Sequence, residues 1–349
     1  MKKTTISLFC WLLAATGCTP IGGPDGGSPD GGPPDAGPPD GGPTASCRPT
    51  MIAQGRVGAQ GIAVDAESVY WIDTLSANAA VRKAPKAGGP VTDLVSPGPF
   101  ISPPAVVYSD LVLAGDRLYW AFNQTEIGGT DVMLFSVPTT GGLSVAVLSE
   151  SIARIPPPPV DPYIRDLIAD ATHIYYTTGE GLFRVSRAGG MPEPLVREIT
   201  AGGQLAQDAQ YVYVASSERG ALLRISKLNS ELTGLTPAEG LSPAPTALDV
   251  DEMRVYFRDA ASRIRSVPKG GGKFTTLYTE PGEVPLATAI TRTLLVRGGH
   301  VYFPSSRGLT RIDTNGGGLT VLHESQPSGL AADDRYIYWT AGDVWRACL

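Results

Sequence analysis

The chain has 349 residues and a net charge of −6. Lys2 and Lys3 contribute +2 and the four aspartates between residues 25 and 40 contribute −4, leaving −4 for everything after residue 46. So mild a balance excludes the basic footprint that a nucleic-acid surface needs, and the length allows one or two domains.

The N-terminal stretch MKKTTISLFCWLLAATGCTP places two lysines before an apolar run, Ile6 to Ala15, that is too short to be a stop-transfer helix. It predicts a signal peptide over residues 1–17. The tetrapeptide Ala15-Thr16-Gly17-Cys18 resembles the lipobox of bacterial lipoproteins, with Ala15 where the commonest form has Leu. The resemblance implies cleavage before Cys18 and acylation of that cysteine. With Thr19 rather than Asp following it, the resemblance also implies an outer-membrane destination. The plain alternative is an ordinary signal cut at the same bond, since Ala15 and Gly17 satisfy the small-x-small rule.

Residues 18–46 then hold the repeat PDGGS PDGGP PDAGP PDGGP. Pro and Gly at this density cannot bury a core, so the segment is expected to be a disordered tether with a reach of about 30 Å.

Beyond residue 60 the chain repeats itself. An aromatic strand recurs as SVYWID, RLYWAF, HIYYTT, YVYVAS, RVYFRD, HVYFPS and YIYWTA, with tyrosines 36 to 56 residues apart. In five copies an aspartate stands five places ahead of the tyrosine: Asp65, Asp170, Asp208, Asp251 and Asp333. Its carboxylate suits a tight turn, where it can accept backbone N–H groups two residues on. A second run follows each aromatic strand (VRKAPK, LFSVPT, LFRVSR, LLRISK, IRSVPK, LTRIDT, VWRACL), then in most copies a Gly-Gly turn and a third alternating run. With the short apolar run ahead of each Asp turn, every repeat has four strands.

Four-stranded units of this length predict an all-β fold, a β-propeller of seven four-stranded blades with six as the alternative, over residues 47–349. Tyr338-Trp339-Thr340 and its relatives at Tyr70 and Tyr119 resemble the Tyr-Trp-Thr-Asp class of propeller repeat, and the whole pattern is similar to bacterial lipoproteins built of propeller repeats. Two proline-rich insertions, GPFISPPAVVYSD and ARIPPPPVDPYIRD, separate blades one, two and three and are expected to project as exposed loops.

Few residues offer chemistry. His173 and His300 share a repeat position with Ser68, Arg117, Tyr211, Arg254 and Tyr336, which marks a hairpin shoulder, and His323 lies in an outer strand. PKGGGKFTT lacks the Ser or Thr that follows the lysine of a phosphate-binding loop. Lys83, Arg184, Arg224, Arg311 and Arg346 recur at one position and read as a solvated strand face. Asp249 with Asp251, and Asp333 with Asp334, read as turn residues rather than calcium ligands.

Asp110, Asp166 and Gln204 open the first strands of adjacent blades, nine residues before the tyrosine. First strands line a propeller's channel, so these three are the channel-lining candidates. No Ser-His-Asp order, nucleophile elbow, CxxC or HExxH is present, so no catalytic residue, metal site or cofactor is assigned.

The seventh repeat stops one strand short, and PTMIAQ at residues 49–54 aligns with the missing outer strand. The N-terminal strand is therefore expected to close the last blade, bringing Cys47 and Cys348 together as a disulfide in an oxidising compartment. The functional expectation is a membrane-anchored binding or scaffold module for protein or glycan. The alternative is a propeller enzyme of the lactonase or lyase kind, with a metal held in the channel by groups such as Asp110, Asp166 and Gln204.

Overall fold

The computed structural model describes residues 47–54, 59–73, 80–95, 106–108, 110–126, 129–153, 163–197, 199, 204–216, 219–236, 244–282 and 293–349; the expected signal peptide and tether lie outside them. Among these residues there is no helix. Their strands form seven antiparallel sheets, the blades of a seven-bladed β-propeller. The first strands line up around an axis, and the ring closes where Gly329–Ala332 of blade seven meets Ala59–Val64 of blade one.

The aromatic strands lie second from the axis. A blade packs against a neighbour on both faces, so its second strand is covered on both sides and reads as a continuous apolar run instead of an alternating one. Ser68–Asp73 is buried throughout, and His173–Thr178, Tyr211–Ser216, Arg254–Asp259 and His300–Ser305 are buried after their first residue. The core is accordingly divided into layers between blades: Trp71 and Ile62 of blade one, for instance, pack on Tyr338 and Val344 of blade seven.

Closure follows the expected register. Thr50–Ala53 forms the outer strand of blade seven on Asp343–Cys348, with Thr50 opposite Arg346 and Met51 opposite Trp345. Cys47 and Cys348 are joined by a disulfide across 301 residues of sequence, their Cα atoms 5.1 Å apart.

Blade two departs from the repeat. Its second and third strands, Arg117–Glu126 and Gly129–Pro138, have 10 residues each, against 6 in the second strand of blade one. Its outer strand Val145–Ala153 has 9, and an additional strand, Val106–Tyr108, pairs with Phe122 to Gln124. The first proline-rich insertion is thus not wholly a loop, as its sequence implied. Its end adds a strand to blade two, while residues 96–105 and 154–162 lie outside the described residues.

Candidate functional site

The propeller has two rims. On one, first strands end and second strands begin, so it carries the Asp turns. There Asp208 accepts the backbone N–H of Gln210 (2.9 Å) and Tyr211 (2.8 Å) on Oδ1, and the Tyr213 hydroxyl (2.7 Å) on Oδ2. Asp65, Asp170, Asp251 and Asp333 repeat this pattern with Tyr70, Tyr175, Tyr256 and Tyr338. The carboxylate thus makes the turn and also gives the buried tyrosine an acceptor, which explains the five-residue spacing between them.

A cation from the next blade completes the unit, and sequence reasoning missed it. Lys227 reaches Asp170 (3.1 Å), Lys269 reaches Asp208 (2.8 Å) and Lys86 reaches Asp333 (2.5 Å), each with its ammonium over the corresponding tyrosine ring. All three end the third-strand motif, where the other blades have Thr139, Arg187, Thr314 and Leu349. In blade two, Ala114 stands in the aspartate's place. Arg187 of blade three then donates directly to the Tyr119 hydroxyl (3.0 Å) and to the Ala114 carbonyl. At the seam between blades six and seven the acid is replaced by Arg297 and the cation by Leu349, so Tyr302 has no carboxylate to donate to.

These contacts set the ionisation of the latches. Burial alone would raise the carboxyls, but the Lys269 ammonium, the Tyr213 hydroxyl and the turn amides outweigh it and hold Asp208 at about 2. Asp333 is held at about 2 despite its burial, by Lys86 first among its partners, and Asp65 and Asp170 also lie below the ordinary carboxylate range. Burial, and then the adjacent carboxylate, push Tyr70 and Tyr256 up to about 12.

Four of the five recurrent cations expected on a solvated face are instead ties between blades. Lys83 donates to the Thr139 carbonyl (3.2 Å), Arg184 to that of Lys227 (3.0 Å), Arg224 to that of Lys269 (2.8 Å) and Arg346 to that of Lys86 (2.6 Å). Each long side chain lies along the seam, where its charge meets a carbonyl instead of water. Blades two and five have Ser136 and Ser266 at this position, and Arg117 and Arg254 from the adjacent strand supply the guanidinium, bonding the serine hydroxyls at 2.8 Å and 3.0 Å.

Two clefts open on this rim. One of about 550 Å³ is lined by Asp170, His173, Tyr175, Arg184, Tyr211 and Lys227, and one of about 420 Å³ by Asp65, Lys86, Arg297 and Asp333. Both are seams between consecutive Asp turns, and much of their polar lining is latch. They follow from the repeat and are not dedicated ligand pockets.

Of the channel-lining candidates, Asp110 and Asp166 are buried at 4% and 6% exposure. Asp110 accepts the N–H of Leu111 (2.9 Å). Asp166 accepts that of Leu167 (2.8 Å) and, across the seam, that of Leu205 (2.6 Å), the residue after Gln204. These carboxylates order the first strands. Asp249 likewise accepts the Val296 N–H of the next blade (2.8 Å), and Asp334 pairs with Arg297. His173 bonds the Thr172 hydroxyl, His300 pairs with Asp313 and His323 packs on Trp345. Among the described residues no three His, Cys, Asp or Glu side chains gather as a metal site.

The opposite rim is charged. Arg82 pairs with Asp73 (2.6 Å) and Asp93 (3.0 Å), and Arg263 with Asp259 (2.7 Å). Buried Arg258 donates to the Pro304 carbonyl of blade six (3.2 Å), and Glu280 accepts from the Ser306 hydroxyl (2.5 Å). Asn123 clamps the entry to blade three by bonding both the N–H and the carbonyl of Ile164 (3.0 and 2.9 Å). The long strands of blade two extend past this rim. The excess of four residues in its second strand amounts to about 14 Å at the usual rise.

No protein-family model and no curated protein matches the chain. Solved structures do. YCF48 bound to D1 peptide aligns at 12% identity over 86% of this chain and 96% of that one, with a TM-score of 0.61. BamB from Moraxella catarrhalis aligns at 14% identity over 84% and 85%, TM-score 0.52. The WD40 β-propeller domain of Doa1 aligns at 11% identity over 85% and 96%, TM-score 0.58. At such identities the likeness is one of fold, and it agrees with the β-propeller seen here.

Proposed function

We propose that the chain is a lipid-anchored, extracytoplasmic propeller that serves as a binding scaffold for a protein partner. The observation that carries the proposal is the lobe on blade two: a seamed, latched ring is a rigid base, and one blade alone among the described ones is lengthened in its second, third and outer strands. The lobe stands at the charged rim, where arginines, which are enriched at binding hot spots, are concentrated. Its free strand edges carry backbone donors and acceptors of the kind a partner strand can use. Similarity to YCF48 bound to D1 peptide and to BamB supports this use of the fold. On the lipobox resemblance, Cys18 carries the anchor and the outer membrane is the destination.

Two experiments test the two halves. Replacing residues 124–131 with Asn-Gly trims the blade-two hairpin to ordinary length. The variant is expected to unfold at the wild-type urea midpoint and to lose the partner cross-linked to the wild-type chain in cells; a trimmed chain that keeps that partner refutes the lobe as the site. For the anchor, wild-type protein is expected to enter the detergent phase and Cys18→Ala to stay in the aqueous phase; a wild-type protein that stays aqueous refutes it.

A further inference from the structure

Among the described residues, nine large hydrophobic side chains are exposed, and all nine lie on the Asp-turn rim or beside it. Leu143 (89% exposed), Met191 (90%) and Leu228 (92%) occupy the hairpins between the third and outer strands of blades two, three and four. Met253 (74%) sits in the Asp turn of blade five. Val91, Val145, Leu232 and Leu319 stand at, or next to, the start of an outer strand, where the chain has just left the same hairpins, and Met51 lies near the start of the closing outer strand of blade seven. The opposite rim has none among the described residues.

We propose that this rim rests on the lipid surface to which the chain is tethered, its hairpin tips dipping into the boundary between headgroups and acyl chains. The setting rests on the reading of a membrane-held chain; the contact itself is carried by the structure. Equivalent hairpins of a ring of blades end in one plane, so tips on blades two to six can all be touched at once only by a flat partner. The exposed side chains stand as one or two on each of several separate blades, spread around the rim and not gathered at one place of the sort a globular partner would cover. A bilayer boundary needs no such patch, since each apolar tip gains by leaving water independently.

The first described residue of the propeller also lies on this rim. Cys47, three residues ahead of the outer strand Thr50–Ala53, is bonded to Cys348 at the end of the third strand, level with the other hairpins. Approach to lipid strands no lone charge at three of the latches, because Asp170, Asp208 and Asp333 are already paired with Lys227, Lys269 and Lys86. The charged rim and the blade-two lobe then face away from the membrane.

The test uses full-length Cys18→Ala protein, which has no acyl chain, with vesicles of phosphatidylethanolamine and phosphatidylglycerol. The protein is expected to float with vesicles weakly but measurably. The triple variant Leu143→Asp, Met191→Asp, Leu228→Asp is expected to lower the partition coefficient about tenfold or more. These tips are exposed, and retention of the Cys47–Cys348 disulfide and of the urea midpoint checks that the fold is intact.

In parallel, an environment-sensitive fluorophore attached to Leu228→Cys in the acylated chain is expected to shift to the blue and to be quenched by spin-labelled lipid, while one at Arg219→Cys on the opposite rim is not. An acylated chain that floats with its Leu228 probe still in water overturns the proposal while leaving the anchor standing, and returns the rim to a protein partner. A Cys18-intact chain that floats no better than Cys18→Ala, with flotation of both lost in the triple Asp variant, overturns the anchor and leaves the proposal standing. Equal partitioning of the triple Asp variant and its parent overturns the proposal directly.

Discussion

Substitution of Asp208 by alanine reads the latch from a single side chain. The carboxylate serves two turn amides, the Tyr213 hydroxyl and the Lys269 ammonium at once. Tyr213 is only 1% exposed, so its hydroxyl would be left without an acceptor and largely out of reach of water, at a cost of about 1–3 kcal/mol. The two turn bonds are worth about 1 kcal/mol together, because the freed amides at the rim regain water. The ion pair adds about 0.5 kcal/mol, since both side chains keep some solvent, at 18% and 27% exposure.

Asp208→Ala should therefore lower stability by about 3 kcal/mol in urea unfolding followed by tryptophan fluorescence. Asp208→Asn keeps an oxygen for the turn amides and should lose about half as much. A double-mutant cycle of Asp208→Asn with Lys269→Gln should give a coupling of about 0.5–1 kcal/mol across blades four and five. A loss below about 0.5 kcal/mol for the alanine variant, or a coupling of zero, would show that the aspartate shapes its turn and nothing more.

Three further outcomes follow from the same contacts. Asp208 and Asp333 titrate near 2 in the folded chain, and Asp65 and Asp170 are also lowered. Their stabilisation is thus complete above the unfolded carboxyl's value of about 4 and is lost as pH falls from there towards about 2, because the unfolded chain takes up protons first. Discounted for solvent screening, each contributes about 1 kcal/mol, so the urea midpoint should fall steeply across that window; a flat profile refutes the ionic latch. Removing the disulfide with Cys47→Ser and Cys348→Ser should cost up to about 5–6 kcal/mol by loop entropy, and an unchanged urea midpoint would mean that strand pairing alone closes the ring. Gly308 has φ +107° and a Cβ there would lie 2.1 Å from the His323 carbonyl oxygen, whereas Gly142 at φ +126° has nothing within 4 Å. Gly308→Ala should cost about 3 kcal/mol or more and Gly142→Ala about 1, and equal melting shifts would refute the close approach between third and outer strands of blade six.

How far the sequence could be read depended on where each partner lay along the chain. The aromatic strands, the Asp turns and the closing strand rest on contacts within one blade, or on a gap left in the last one, and all were legible. The latches were not, because each joins an aspartate to a cation of the following blade, 57 residues on for Asp170 and 61 for Asp208. Lys83, Arg184, Arg224 and Arg346 were misplaced on a solvated face for the same reason: alternation along a strand says that a side chain points to one face, but not that the next blade's carbonyls lie there.

The lobe was hidden differently. Pro103 and Pro104 mark a loop, and two residues after them the chain is a strand, Val106–Tyr108, whose partner is the unusually long Arg117–Glu126. Once the seams are known, the exceptions in the sequence become informative. Where the turn aspartate is missing, at Ala114 and Arg297, a glycine follows in the left-handed region, Gly115 at φ +61° and Gly298 at +59°, and a glycine turn takes over from the carboxylate. Arg187 then bonds the tyrosine in the opposite sense, donating to the Tyr119 hydroxyl oxygen where an acid would accept from it, and Leu349 stands where no acid awaits a cation. The seams therefore fall into kinds: an aspartate with a lysine at three of them, a glycine turn with Arg187 between blades two and three, and neither acid nor cation between blades six and seven.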